Sequence, residues 1–306
     1  MKIKRERKGH KPNSPNFRPK GLLVPALAFL LSITQIPFFV TLYLSVRSWN
    51  LLRPDRGQHF VGLRNFVDLT TIEPSVFKSV ANTVVLTVST VLIATIMGIA
   101  LATWLNHPFF GRAVVRTLLL TPMLIMPVIV GQIWGRLFLD PGNGVIPWSA
   151  NHFFGIRFTP LSQYPMATVI FISVWEWTPF AYLILTSGLS ALDPSIVEAA
   201  RVDGANKAQL FRYITFPHLT NYLNITLLLG TVLILPSFGV IYATTAGGPG
   251  YATTNLSLAV YQQLFLKYSV GGASALALVN VVLVIFAMIG LVKLLGNLLI
   301  RNEVMS

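Results

Sequence analysis

Glu198-Ala-Ala-Arg-Val-Asp-Gly-Ala-Asn-Lys-Ala-Gln-Leu-Phe-Arg-Tyr-Ile-Thr-Phe-Pro217 is a polar stretch between two long apolar runs. Its helix starts and stops decide how the chain is organised. Asp193 and Pro194 precede it. Asp caps a helix N-terminus and Pro suits the first helical position, so a short helix is predicted from Pro194 to Asp203. Gly204 ends that helix, because Gly enters the left-handed region at low cost. Asn206, with Gln209 three residues on, opens a second short helix through a variant of the capping box, and Pro217 is expected to end it. Ala199 and Ala200 leave a low spot where another protein's surface can approach, with the single charge of Glu198 beside it. The stretch reads as a docking element.

Composition sets the surroundings. The chain has 306 residues, 54% hydrophobic and 11% charged, whereas soluble domains carry about 25% charged residues. An integral membrane protein follows. About 20 apolar residues are needed to cross a bilayer, and six segments qualify: 22–46, 80–105, 113–138, 166–190, 220–244 and 273–299. The runs are continuous rather than alternating, so the fold is expected to be all-α and not a β-barrel. The first run is too long for a signal peptide and reads as an uncleaved first span.

Net charge is +13, with Lys2, Lys4, Arg5, Arg7, Lys8, Lys11, Arg18 and Lys20 opposed near the N-terminus only by Glu6. Residues 1–21 are expected to form a basic cytoplasmic tail that fixes topology and meets anionic lipid. Residues 22–300 form the membrane domain, and 301–306 a cytoplasmic C-terminus. That orientation also puts 193–217 on the inner side. No aromatic-interleaved basic patch points to nucleic acid. The chain has no cysteine, which excludes disulfides and thiolate metal sites.

The motif now carries a family resemblance. Glu-Ala-Ala at 198–200, Gly204 after three further residues, then Ile214 and Pro217, resembles the EAA loop of the membrane subunits of binding-protein-dependent ABC importers. Asp203-Gly204-Ala205 matches that form, and Phe216 stands where Leu is usual. Trp49-Asn50, the stretch Phe60-Val61-Gly62-Leu63-Arg64-Asn65-Phe66, and Gly247-Gly248-Pro249 followed by Thr253, Thr254 and Tyr261 resemble the carbohydrate-uptake branch, the maltose, glycerol-phosphate and polyol permeases. The resemblance implies a type I ABC importer permease in the cytoplasmic membrane of a bacterium or archaeon. It implies three partners: an ABC ATPase dimer, a second homologous permease subunit and an extracytoplasmic solute-binding protein. The cargo would be a sugar, oligosaccharide or polyol. ATP and Mg would be bound by the ATPase, with no cofactor in this chain. Glu198, Ala199, Ala200, Asp203, Gly204 and Ala205 would form the coupling site.

A solute path is sought where spans carry breakers: Pro122 and Pro127, Pro179, and Gly230, Pro236 and Gly239. Such breaks are tolerated where neighbouring helices or a watery cavity satisfy the backbone. Glu176, between Trp175 and Trp177, is an intramembrane acid, and such acids face a cavity or a partner. It suits a sugar hydroxyl, with tryptophan on the ring face; a headgroup-level anchor is the alternative. Phe238, Tyr242 and Thr245, beside Ser237, fall on one helical face and suit either a sugar or helix packing. Gln132 and Asn280 are lone polar groups suited to interhelical hydrogen bonds or to the path. No Gly-x-x-x-x-Gly-Lys-Ser/Thr loop is present, so ATP hydrolysis is left to a partner and no enzyme activity is expected. His10, His59, His107, His152 and His218 stand singly, without metal-ligand spacing. The rival readings are a permease for a phosphate ester or amino acid, and a secondary transporter acting alone.

Overall fold

The computed structural model describes residues 20–71 and 75–303. The expectations for residues 1–19 and 304–306 lie outside them. The chain begins with α1 (Lys20–Ser45), a two-residue hairpin of β1 (Arg47–Ser48) and β2 (His59–Phe60), and α2 (Arg64–Thr71). Next come α3 (Ser75–Trp104), α4 (Arg112–Leu124), α5 (Pro127–Gln132), α6 (Val145–Phe154), α7 (Pro160–Gln163) and α8 (Pro165–Ser190). The polar stretch forms α9 (Pro194–Val202) and α10 (Lys207–Leu210). The chain closes with α11 (Phe216–Ile234), α12 (Gly239–Thr244), α13 (Leu256–Tyr261) and α14 (Val270–Glu303). Apart from the hairpin and an isolated bridge between Asn50 and Ser269, the described residues form no β-structure.

By length and hydropathy, α1, α3, α8 and α14 are able to cross a membrane, and α4 with the helix from Pro127 makes a fifth span bent by 99°. The expected third span, 113–138, is therefore two helices. Ile125 and Met126 are extended, with ψ of 137° each, as residues before a proline tend to be, and Pro127 has no N–H to continue the ladder. The expected fifth span, 220–244, also divides. α11 stops at Ile234, and α12 starts at Gly239, after Pro236. With His218, Asn221 and Asn224 in its first half, α11 is less apolar than the other long helices. Pro179 does not break α8.

The two breaks meet. A Cβ on Gly239 would lie 2.8 Å from Pro127 Cβ and 2.9 Å from Val128 N, and one on Gly131 would lie 2.6 Å from Ala243 Cβ. Only glycine lets α5 and α12 approach this closely. The unwound carbonyls are satisfied from α13: Asn255 Nδ2 donates to Ser237 O, and Ser257 Oγ donates to Pro236 O at 3.1 Å. Asn255 also caps α13 by accepting Leu258 N at 3.0 Å. Irregular backbone inside the bundle is thus paired, as a low-dielectric surrounding demands.

The centre of the bundle is α8. Gly98 of α3 sits against Ala181, where an added Cβ would be 2.8 Å from Ala181 Cβ. Leu86 shares one apolar cluster with Val169 and Ile172, and Ala102 shares another with Leu185. The early part of α3 thus clusters with the early part of α8, and the late part with the late part, so α3 and α8 run parallel. Ala94, Gly98 and Ala102 form a small-residue row on α3, the packing that brings membrane helices together. Thr90 of α3 and Ser173 of α8 are both buried.

Candidate coupling element and solute path

Residues 193–217 build an exposed elbow. Asp193 caps α9 by accepting Ser195 N at 2.9 Å, and this hydrogen bond holds its carboxyl below the usual carboxylate range. At the other end, Gly204 N donates to Arg201 O (3.1 Å) and Ala205 N to Ala200 O (2.9 Å). That pair of bonds is a Schellman motif, which requires a left-handed residue at its turn, and Gly204 has φ +88°. Asn206 and Gln209 then form the reciprocal capping box, at 2.8 and 2.9 Å. Both helix ends are closed within a few residues, so the elbow is rigid without a core beneath it. No side chain of α9 is buried, and Val202 is 88% exposed. Glu198, Ala199, Asp203 and Gly204 are all exposed, while Ala200 and Ala205 are half-buried.

Pro217 does not end the second helix as expected. It lies in the first turn of α11, and α10 runs into α11 through a π turn, Phe211–Thr215. The wider turn takes up the ladder bond that proline cannot make: Phe216 N reaches Phe211 O. The elbow is therefore joined to the bundle by continuous helix. His218, at the base of α11, meets Gly188 O at the end of α8 (3.0 Å).

The candidate path residues separate into groups. Phe238 and Tyr242 stack at 5.1 Å with ring planes 20° apart. Tyr261 of α13 closes the cluster at 5.3 Å from each, and Phe265 continues it at 5.0 Å. Tyr242 is 42% exposed, so the cluster presents an open aromatic face beside the α11–α12 break. Ser237, half-buried, uses its carbonyl to hold Asn255. Thr245 turns away to Thr253 Oγ1 (2.6 Å). Gln132 is exposed on α5, next to α12. Tyr261 and Phe265 escaped the sequence reading of the path because their helix lies in what reads as an outer loop. Their spacing of four was the available signal.

Glu176 is 5% exposed, and its carboxyl makes no hydrogen bond or ion pair among the described residues. Trp175 and Trp177 do not flank one ligand with it. Trp175 packs on Trp134 at 5.5 Å, whereas Trp177 packs on Phe180 at 6.0 Å and lines a different cavity with Ala94. Two residues on one helix an i, i+2 step apart point about 200° apart. Trp175 also borders an apolar cavity of 480 Å³ between α3, α4 and α8. Its Thr178 hydroxyl is engaged by Val174 O (2.6 Å), which leaves little for a sugar to bond. Asn280, on α14, is half-buried with Oδ1 unpaired among the described residues. No group of three metal-ligating side chains occurs among the described residues.

Comparison with known proteins places this arrangement. Residues 72–300 match the model of the binding-protein-dependent transport system inner membrane component family. The trehalose/maltose transport system permease protein MalF of Thermococcus litoralis is 31% identical over 86% of this chain and 88% of its own length. The sn-glycerol-3-phosphate transport system permease protein UgpA of Brucella abortus is 33% identical over 74% of this chain and 77% of its own. The fold matches a crystal structure of a bacterial ABC transporter involved in import of the acidic polysaccharide alginate. The TM-score is 0.75 at 22% identity, covering 91% of this chain and 94% of that one. This chain is a transport subunit rather than an enzyme, and it belongs to the family of binding-protein-dependent transport system inner membrane components.

Proposed function

We propose that the chain is one of two permease subunits of an ATP-driven importer of a sugar, oligosaccharide or polyol, coupled to a separate ATPase through the α9–Gly204–α10 elbow. The observation that carries the coupling role is the elbow itself: an exposed helix with no buried side chain, closed at both ends and continuous with α11. A helix with nothing to bury on its own chain, yet fully capped, is built to be covered by another protein. ATP binding on the partner would move the elbow, and α11 would carry the motion to its break at Leu235–Phe238.

The cargo reading rests on the Phe238, Tyr242 and Tyr261 face and on the relatives, whose names include trehalose/maltose and glycerol-phosphate permeases. Aromatic faces suit the C–H faces of sugar rings, and Gln132 nearby offers amide partners for hydroxyls. A related alginate transporter was crystallised with a pentasaccharide-bound periplasmic protein, which supports delivery by a solute-binding protein. In this scheme α11 with α12 is the sixth span, both termini are cytoplasmic, and ATP and Mg act on the partner. Purification of the tagged chain from native membranes should recover an ATP-binding subunit and a second permease. Sugar accumulation by proteoliposomes holding this chain alone would overturn the proposal.

A further inference from the structure

At the root of the elbow lies an open cavity of 220 Å³, bordered by the ends of α3 and α8 and by α9 and α10. His107, Arg201 and Lys207 line it, with the polar side chains of Thr103, Asn106 and Thr215. Among the described residues no acidic side chain lines it. Leu189, Leu192, Val197, Leu210 and Phe211 make most of the wall apolar, with the polar groups on the remainder.

Cations at helix C-termini ordinarily bond the last carbonyls. Here that work is done by other groups. Arg116 Nη2 donates to Leu105 O at the end of α3 (3.2 Å), His218 meets Gly188 O of α8, and the Schellman bonds close α9. The side chains of Arg201, Lys207 and His107 make no hydrogen bond or ion pair among the described residues, where the single salt bridge is Arg64–Asp68. Glu198 and Asp203 lie on the same helix as Arg201 or at its end, yet neither comes within ion-pair distance of it. Two exposed cations and an imidazole thus border one cavity with no counter-charge among the described residues, which favours an anion there. The cavity is below the roughly 300 Å³ of a drug-sized pocket, which fits one phosphate group with a short apolar attachment.

We propose that this cavity binds a phosphate group, supplied by an anionic phospholipid headgroup at the membrane face or by free phosphate, and that the bound group ties α9 and α10 to the end of α3. Occupancy would set how firmly the elbow is held to the bundle.

The test uses the full chain, delipidated in neutral detergent, beside the double variant Arg201→Gln/Lys207→Gln and the control Arg136→Gln in the π turn Ile133–Phe138 that follows α5. Native mass spectrometry reads retention of phosphatidylglycerol against phosphatidylcholine, and thermal unfolding reads added inorganic phosphate. Each basic residue near an anionic headgroup contributes about 1 kcal/mol, so the double variant should lose on the order of tenfold or more in phosphatidylglycerol binding, with the control unchanged. That result assigns the lipid as the source. Stabilisation of the wild type by inorganic phosphate alone, absent in the double variant, supports the site with free phosphate as its ligand. Because both replaced side chains are exposed and unpaired, the double variant should unfold at the wild-type temperature when nothing is added. Equal binding by wild type and double variant, or binding of neither probe by the wild type, overturns the proposal.

Discussion

Gly204 isolates backbone conformation from packing. Its φ is +88°, and a Cβ built there meets nothing within 4 Å. Replacement therefore brings no clash and no lost contact; it brings only the cost of holding an L-residue in the left-handed region, about 1–2 kcal/mol. Asn tolerates that region better than Ala, and Val, stiff at χ1, tolerates it worst. The Schellman bonds from Gly204 and Ala205 set the angle between α9 and α10, so the cost falls on the elbow. At about 1.4 kcal/mol per tenfold, Gly204→Ala should weaken association with the ATP-binding subunit by roughly five- to thirtyfold. Asn should do less damage and Val more. The unfolding temperature of the chain should stay at the wild-type value throughout, since α9 buries no side chain. The assay is a titration of detergent-solubilised chain with the ATP-binding subunit recovered from the same membranes, paired with thermal unfolding of each variant. Equal affinity for Gly, Asn, Ala and Val would refute the role of the elbow angle. A common loss of unfolding temperature would show that Gly204 serves the bundle instead.

Three further outcomes follow from the geometry. Gly98→Ala puts a methyl 3.0 Å from the Ala181 carbonyl carbon and Tyr182 N, so α3 and α8 must part; overpacking of this kind costs about 1–3 kcal/mol, read as a lower unfolding temperature that Ala181→Gly restores only in part. Asp193 has a folded-state pKa below its ordinary value through its bond to Ser195 N, so its cap is fully present above the unfolded carboxylate pKa of about 3.9 and is lost as pH falls through the folded value; the protection of the Ser195 amide, its exchange rate measured against the intrinsic rate at each pH, should fall over that acid range and stay constant between pH 5 and 8. Tyr242→Ala should remove one wall of the Phe238–Tyr261 cluster and raise the KM for sugar uptake by the assembled importer, while leaving ATPase association unchanged; an unchanged KM would assign the cluster to packing alone.

The elbow was legible in the sequence because every part of it is local. Asp193, Gly204, Asn206 and Gln209 act on residues within five positions, and their side-chain chemistry names the turn. Pro217 misled for the same reason: a local rule ends a helix at proline, whereas a π turn lets the helix continue around it. Hydropathy made five of the six expected segments legible, four as single helices and one as a bent pair, but the breaks were not fully so. Pro127 and Pro236 mark weak points, yet the unwound stretch before α12 is held by Asn255 and Ser257 of the distant α13 region, which take up its freed carbonyls, and the 99° bend beside Pro127 sits against Gly239 of α12. The path residues depended on the same long-range contacts. Phe238 and Tyr242 fell on one face as spacing implied, Tyr261 joined them from another helix, and Trp175 and Trp177 went to opposite sides of α8.

The central claim is that the exposed face of α9 is covered by an ATPase during transport. The chain has no cysteine, so Ala199→Cys introduces a single thiol on that face and Trp148→Cys a single thiol on α6, on the opposite side of the membrane in this account. With a short thiol-to-amine crosslinker in native membranes, the Ala199→Cys chain should join to an ATP-binding subunit, in a yield that changes when ATP is added. The Trp148→Cys chain should not. Failure of Ala199→Cys to capture an ATP-binding subunit, with transport by that variant intact, would contradict the account.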